Sequence, residues 1–201
     1  MARKTEARRT ELRDKLIDAA EQIITTHGTN AIKARDLAGM AGCSVGAIYN
    51  VFHDLNALIM AVNGRTFRRL GAHVSGALAG QDIAPQNQLI IMGHAYLGFA
   101  ASNTLAWRAL FDLQMSTEMT VPDWYLAELG QVFQLIAGPL RDIFPDWDDN
   151  KIDLMTRALF SSVHGIVSLG LERRISGVPM ERIEDMIAVV LTNITSEQTV
   201  S

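Results

Sequence analysis

The sequence predicts an all-α protein, with a three-helix domain at the N-terminus followed by a larger helical domain. Apolar residues recur at helical spacing along most of the 201 residues and make up 48% of them. No stretch of alternating β-branched residues is long enough to compete as a strand. Each of the five prolines lies near a change in the apolar pattern, as expected where helices begin or end.

Residues 1–10 form a basic segment without apolar periodicity, and its basic residues are Arg3, Lys4, Arg8 and Arg9. We expect a mobile arm here, which either approaches nucleic acid or serves as a solubilising tail. A helix is predicted over residues 11–27, because apolar side chains keep helical spacing until Gly28 ends the pattern. Those side chains are Leu12, Leu16, Ala20 and Ile23.

Residues 34–52 contain two short amphipathic segments that a glycine-containing turn separates. One apolar stripe of the first segment consists of Ala34, Leu37, Ala38 and Ala41. Gly42 supplies the break, and Ser44 can cap the second segment. In that segment the residues expected to point inward are Val45, Ile48 and Phe52, and those expected to face outward are Gly46, Ala47, Tyr49 and Asn50. This pattern is typical of a helix-turn-helix, whose second helix enters the major groove of DNA.

The net charge of −4 is distributed unevenly along the chain. Residues 1–70 carry 11 Lys/Arg against 7 Asp/Glu, a net +4, whereas residues 71–201 carry 7 against 15, a net −8. A basic head on an acidic body is expected when only the head contacts phosphates. Plain solvation of both parts explains the charges equally well.

The remaining chain predicts a helical body. Residues 56–78 are expected to connect it rigidly to a helix-turn-helix domain of residues 11–55, and residues 56–201 are assigned to the second domain. Its helices are predicted near residues 86–101, 104–115, 122–143, 149–174 and 180–195. The single Cys43 cannot form an internal disulfide, no signal peptide is recognisable, and no apolar run reaches the roughly 18 to 20 residues of a membrane span. A cytoplasmic protein is expected.

Several sequence runs resemble the TetR family of bacterial regulators, most specifically over residues 12–63: AAEQII, HG, RDLAGMAGCSVGAIYNVF and LNALIMAVN. Residues 159–174, LFSSVHGIVSLGLERR, resemble the His-Gly-containing penultimate helix of one TetR subgroup. The resemblance implies a DNA-binding transcriptional regulator, with a repressor favoured, that binds a palindromic DNA operator as a homodimer and is released by a small, mostly apolar effector. The alternative is a helical protein-interaction and dimerisation module without sequence-specific DNA binding, for which the net acidity argues.

The helix-turn-helix pattern and the resemblance together give the candidate DNA-binding residues: Lys33, Arg35, Ser44, Val45, Gly46, Ala47, Tyr49, Asn50 and His53. Tyr49 resembles the family tyrosine whose hydroxyl contacts a phosphate. Asn50 can present its amide to an adenine edge or to the DNA backbone. Simple solvation explains the two basic residues before the turn as well, and Val45 fits the core equally well.

Two positions depart from the family pattern. Ile32 stands where a threonine commonly caps the second helix and binds phosphate, and Leu55 stands where a lysine often faces the DNA backbone. Lys33 or backbone N–H groups must then supply the first contact, and His53 the second in part. The affinity for DNA is expected to be weaker than is usual for the family.

The last two predicted helices carry apolar residues on more than one face, with a stripe over residues 152–169 in the first. Each helix can bury one side in its own domain and offer the other to a two-fold copy, which gives a four-helix interface. The candidate interface residues are Met155, Leu159, Ser162, Val163, Ile166, Ile187, Val190, Leu191 and Ile194. A single larger core within one chain is the alternative.

Aromatic residues and methionines gather in the middle of the body and can line a pocket for an apolar small molecule: Met92, Tyr96, Phe99, Trp107, Phe111, Met115, Trp124 and Phe133. Packing in an ordinary core is the commoner role of such residues. His164 in the penultimate helix is expected to be a structural histidine that hydrogen-bonds within the protein.

Residues 42–46, Gly-Cys-Ser-Val-Gly, match the G-x-S-x-G string of a hydrolase nucleophile elbow. That elbow requires a strand before the serine, whereas Ser44 is predicted to join two short helices. The histidines have no ligand spacing with a carboxylate, and no metal-binding motif accompanies them. The chain is therefore expected not to be an enzyme and to need no cofactor or metal.

Overall fold

The computed structural model describes residues 2–80, 82–113, 121–172 and 178–196, and every regular element within them is helical, which confirms the all-α prediction. These residues form α1 (Ala2–His27), α2 (Ala34–Ala41), α3 (Val45–Val51), α4 (Leu55–Leu78), α5 (Pro85–Ser102), α6 (Thr104–Asp112), α7 (Asp123–Ile143), α8 (Asp149–Leu171) and α9 (Met180–Thr195). A short 3-10 turn at Thr29–Ala31 lies between α1 and α2. Helices α2 and α3 form the predicted helix-turn-helix, and α4 is the predicted connecting segment.

Helix α1 begins at Ala2, so residues 2–10 are helical and not the mobile arm that the sequence predicts. They contain no glycine or proline and are rich in alanine, arginine, lysine and glutamate, which all have high helix propensity. Further along, Lys15 Nζ lies 2.7 Å from Glu11 Oε1, an i,i+4 pair that supports the helix locally. The missing apolar stripe therefore indicates a solvated stretch of helix and not an unstructured one.

The helices group into two compact units. The first comprises Met1–Arg68 and Asn103–Leu126, and the second comprises Arg69–Ser102 and Ala127–Ser201. Helix α4 contributes residues to both units, and so does α7. The sequence-based domain boundary between residues 55 and 56 stays a prediction, but the contacts place α6 together with the helix-turn-helix, which no sequence pattern indicates.

The core of the first unit draws on α1 to α4 and on α6. Its fully buried side chains include Leu16, Ala20, Ile24, Leu37, Ile48, Leu58 and Ala109. Two hydrogen bonds hold α6 in this unit: Asn63 Nδ2 donates to Ala109 O over 2.9 Å, and Thr29 Oγ1 donates to Asp112 Oδ2 over 2.9 Å. Asn63 is fully buried, and its Nδ2 also donates to the Tyr125 hydroxyl over 3.4 Å, so both acceptors of this desolvated amide lie within the first unit.

In the second unit, α5 and α8 both pack against α9, with a glycine at each crossing. A Cβ on Gly93 of α5 would lie 2.6 Å from Ile187 Cγ2, and a Cβ on Gly170 of α8 would overlap the Ile183 side chain. Both isoleucines are fully buried. The two crossings are therefore as close as glycine allows, and a larger residue at either position would push the helices apart.

Among the described residues, α8 is long and apolar enough to cross a membrane by length and composition, since an 18-residue window of it has a mean hydropathy of 1.3. Two bent pairs, α3 with α4 and α5 with α6, meet the same criterion when each pair is taken together. The expectation that no such run exists is wrong for α8. Only 28% of its apolar window is fully buried, and the rest is partly buried or exposed.

Candidate DNA-binding surface and ligand cavity

The turn between α2 and α3 has the geometry that the sequence predicts. Gly42 has a φ of 66°, in the left-handed region that favours glycine, and the Cys43 N–H donates to Ala38 O over 2.9 Å. Ser44 caps α3, because its Oγ accepts a hydrogen bond of 3.2 Å from the Ala47 N–H. Helices flank this serine on both sides, so the structural context of a nucleophile elbow is missing there.

Helix α3 turns one face to the core and the other to solvent. Ile48 is fully buried, and Phe52, which follows the helix, is buried beneath the Arg13 guanidinium, 5.4 Å from its ring centroid. On the opposite face, Tyr49 is 48% exposed, and Gly46 and Asn50 are exposed as well. The outward set predicted from the sequence is therefore present, except that Ala47 is half-buried.

The predicted inward position of Val45 is wrong, because this side chain is 40% exposed. Val45 is the first residue of α3. Since Cβ bonds tilt toward the N-terminus of a helix, a side chain at this position projects beyond the turn that packs on the core. Val45 is accordingly available for contact with a ligand or a nucleic acid.

Exposed basic residues stand on either side of α3 in the sequence: Lys33 and Arg35 at the start of α2, and His53 just after α3. Their exposure permits contact with phosphates, and their role in DNA binding stays a prediction. Ile32 and Leu55 are half-buried against the core of the first unit. Ile32 and Leu55, which depart from the family pattern, thus extend the core. Their hydrocarbon side chains cannot donate a hydrogen bond to a phosphate.

The second unit contains an apolar cavity of about 60 Å³ among α4, α5, α7, α8 and α9. It is lined by Leu70, Val74, Leu89, Met92, Gly93, Tyr96, Val132, Leu135, Ile136, Leu159, Phe160, Val163 and Leu191. Within this lining, the Tyr96 hydroxyl is the polar side-chain group. Small-molecule sites are mostly apolar, as this lining is, but they typically measure about 300–1,000 Å³. The cavity therefore has the chemical character of such a site and encloses much less space than one, so a ligand would have to widen it.

The hydroxyl of Tyr96 shares a hydrogen bond of 2.8 Å with His164 Nδ1. The ring of Phe160 stacks on the His164 ring, with 5.6 Å between centroids. Burial lowers the pKa of His164 below its ordinary value, so the imidazole is neutral at pH 7 and brings no charge to this side of the cavity. The hydrogen bond agrees with the structural role that the sequence predicts for this histidine.

Four of the eight residues predicted to line a ligand pocket lie in the second unit. Met92 and Tyr96 line the cavity. Phe133 meets the lining residue Phe160 edge-on, with 5.2 Å between ring centroids. Phe99 is buried but does not belong to the lining. The leucine, valine and isoleucine residues that supply most of the lining carry no sequence signal that distinguishes them from an ordinary core.

Three of the other predicted pocket residues belong to the first unit: Trp107, Phe111 and Trp124. The prediction that they line this cavity is wrong. They follow the α5 aromatics closely in the sequence, but the fold assigns α6 and the first residues of α7 to the unit that holds the helix-turn-helix. Met115 lies outside the described residues.

Burial divides the nine residues predicted for a dimer interface. Four are buried within their own chain, so their prediction as interface residues is wrong: Leu159, Val163, Ile187 and Leu191. The other five are half-buried: Met155, Ser162, Ile166, Val190 and Ile194. Among the described side chains of these two helices, the large apolar ones that are exposed are Leu154, Leu169, Met186 and Val189. Apolar spacing reveals both faces of such helices but does not tell which face meets the chain's own core.

An exposed helix-turn-helix in one helical unit and an apolar cavity in another define a regulator of the helix-turn-helix class with a helical C-terminal domain. Residues 89–194 match the family model described as "Tetracyclin repressor-like, C-terminal domain". An uncharacterised HTH-type transcriptional regulator of Mycobacterium tuberculosis is 31% identical over 136 residues, which cover 66% of this chain and 67% of the relative. The chain therefore belongs to the TetR family of DNA-binding transcriptional regulators, and it is not an enzyme.

Solved structures of low sequence identity share the fold. The TetR family regulator PfmR from Thermus thermophilus has a TM-score of 0.58 at 20% identity, over 90% of this chain and 97% of that one. The structure of RolR in complex with resorcinol has a TM-score of 0.71 at 17% identity, over 96% of this chain and 91% of that one. At these identities the likeness shows the fold alone.

Proposed function

We propose that this TetR-family protein is a cytoplasmic, dimeric repressor that binds a palindromic operator and is released from it by a small apolar effector. The observation that carries the proposal is the exposed face of α3. Val45, Tyr49 and Asn50 lie on a short helix whose buried residue is Ile48, and the valine and the tyrosine are 40% and 48% exposed. Such a surface fits the major groove, which admits one helix.

Two substitutions on this face test the DNA-binding surface. Tyr49→Ala is expected to lower affinity about tenfold per half-site for specific and random DNA alike, since a hydrogen bond to a charged phosphate is lost. Asn50→Ala is expected also to relax the sequence preference, because an amide can read an adenine edge. Fluorescence anisotropy with an operator fragment selected from random DNA and with a scrambled duplex measures both effects.

The matched control is Gln22→Ala, which alters an exposed polar residue of α1. Binding is measured at two salt concentrations, because contacts with several phosphates make the affinity fall steeply with salt. Gln22→Ala is expected to bind as the parent does. If Tyr49→Ala and Asn50→Ala also bind as the parent does, the assignment of the outer face of α3 to DNA binding is wrong. Binding that does not respond to salt would favour the rival function, a protein-interaction module.

The dimer is proposed from the uncovered apolar surface of α8 and α9. Leu154 is 70% exposed, Leu169 is 64% exposed and Val189 is 59% exposed, and apolar surface left uncovered along neighbouring helices marks an interaction site when it forms one patch. Along α8 the outward stripe has small residues in its middle, Ala158, Ser161 and Gly165, which permit close approach of a second helix. A second copy related by a two-fold axis would cover both helices and provide the two heads that a palindrome requires.

The cavity is the proposed effector site. Its apolar lining and the neutral His164 favour an uncharged molecule, for which the resorcinol bound by RolR is a precedent, and its volume of about 60 Å³ means that such a molecule must widen the cavity as it binds. An effector that binds better to a form of the dimer unable to place both heads on DNA must weaken operator binding. By linkage, operator DNA then weakens effector binding by the same factor.

Reciprocal titrations test the linkage for each uncharged ring compound that binds, as detected by calorimetry. The operator affinity is measured with and without a saturating compound, and the compound's affinity is measured with and without operator. The two ratios are expected to agree and to reach about 5–150-fold. A compound that fills the cavity and leaves operator affinity unchanged is not the effector.

A further inference from the structure

The outer face of α3 carries no charged side chain. All seven residues of the helix are described, and their sequence is VGAIYNV. The exposed side chains of α3 are those of Val45, Tyr49 and Asn50, of which two are uncharged polar groups and one is a hydrocarbon. The exposed cations nearest in sequence, Lys33 and Arg35, belong to the start of α2.

Each base pair offers a different set of groups to the major groove. Guanine presents two acceptors, N7 and O6, which are read most often by arginine or lysine, and cytosine presents a donor that a carboxylate accepts. Helix α3 has none of these side chains. Adenine presents an acceptor and a donor that suit an asparagine amide, and thymine presents a methyl group that packs against an apolar side chain. Asn50 and Val45 match these two bases.

The position of Val45 strengthens the match with thymine. The first turn of a recognition helix is the part that contacts base edges, and Val45 is its first residue. The side chain is 40% exposed and contributes little to the core, so a thymine methyl against it would remove apolar surface of both groups from water.

We infer that α3 reads A·T base pairs, with Val45 against a thymine methyl group and Asn50 on an adenine, so that the operator positions under α3 contain no required G·C pair. The inference rests on the proposed function, because it requires sequence-specific DNA binding through α3. It specifies which chemical groups of the operator this chain recognises.

The test begins with selection of bound sequences from random DNA by the full-length protein. Selection is repeated with Arg35→Ala. A guanine that is selected only because Arg35 of α2 contacts it is then not attributed to α3. Each thymine of the selected half-site is then replaced by deoxyuridine, which removes only the methyl group. At one thymine in each half-site we expect the affinity to fall about fourfold. This factor corresponds to the free energy of burying one methyl group.

Val45→Ala is the key variant, because it shortens an exposed side chain and leaves the core intact. The loss caused by deoxyuridine at that thymine is expected to shrink in Val45→Ala, because the shorter side chain covers less of the methyl group, while deoxyuridine outside the selected site affects neither protein. Val45→Lys is expected to shift the preference at the same position toward G·C, since lysine reads guanine. Circular dichroism confirms that both variants are folded.

Two results would overturn the inference and leave the proposed function standing. One is a selected half-site in which G·C pairs are required at several adjacent positions and persist with Arg35→Ala. The other is deoxyuridine that is tolerated at every position. A protein that binds no DNA in a salt-dependent manner would instead overturn the proposed function, and the inference with it.

Discussion

A Leu169→Asp variant is expected to be monomeric and to release operator DNA at concentrations that saturate the parent dimer. Leu169 is 64% exposed in the single chain and is not among its buried core residues, so the substitution removes little from that core. Because both protomers of a two-fold dimer carry the substitution, the dimer interface would lose two leucines and gain two carboxylates. Loss of two buried leucines alone costs about 4 kcal/mol, which raises the dimer dissociation constant about 1,000-fold. Sedimentation velocity over a concentration series and anisotropy with operator DNA measure the two effects.

The matched control for this experiment is Leu126→Asp. Leu126 is also a half-exposed leucine on a helix, at 50%, but it belongs to the first unit. Its substitution is expected to leave both the dimer and the operator affinity unchanged. A Leu169→Asp protein that sediments as the parent does, with a native circular dichroism spectrum, would exclude this face of α8 as the interface.

The membrane criterion that α8 satisfies has the same physical origin as the proposed interface. A helix that packs on its own domain with one side and on a second copy with the other side must be apolar on both, which raises its mean hydropathy to 1.3. The small residues at the middle of the outward stripe favour a helix partner over lipid, because they bring two backbones close and bury little apolar surface against acyl chains.

The turn between α2 and α3 and the positions of most helices could be predicted from the sequence, because they depend on residues that are close together in the chain. The αL residue Gly42 and the cap Ser44 fix the turn between α2 and α3 through backbone geometry and a hydrogen bond within four residues. Apolar spacing and the prolines predicted most helices of the body to within a few residues, although Pro139 lies inside α7 and does not mark its end. The family then follows from the same residues, since the helix-turn-helix is a contiguous motif.

Features that depend on which helices meet could not be predicted in this way. The position of α6 beside the helix-turn-helix rests on contacts between residues far apart in sequence, such as that of Asn63 with Ala109. The pattern of Trp107 and Phe111 continues that of α5, so the sequence offers no boundary between the two units. Val45 is a similar case, because its exposure depends on its place at the very start of α3 and not on its hydrophobicity.

Gly93→Ala is expected to lower the free energy of unfolding by about 1–3 kcal/mol, the usual penalty for overpacking a core. The added Cβ would lie 2.6 Å from Ile187 Cγ2 and 3.2 Å from Leu191 Cδ1. Ile187 is fully buried and its Cγ2 is fixed at a β-branch, so the methyl cannot swing away, and α5 and α9 must separate. Urea unfolding at one fixed protein concentration measures the change, because the stability of a dimer depends on concentration.

The control for Gly93→Ala is Gly130→Ala on α7, where a Cβ would meet no atom within 4 Å. There alanine is expected to stabilise the protein by up to about 1 kcal/mol, since it favours a helix over glycine. The two glycines therefore separate helix propensity from packing, with opposite signs for the same substitution. Adding Ile187→Ala removes the obstructing methyl, so the Gly93→Ala penalty is expected to shrink in that background. If Gly93→Ala instead stabilises the protein as Gly130→Ala does, the spacing of α5 and α9 is set by other residues, and the glycine at this crossing has no packing role.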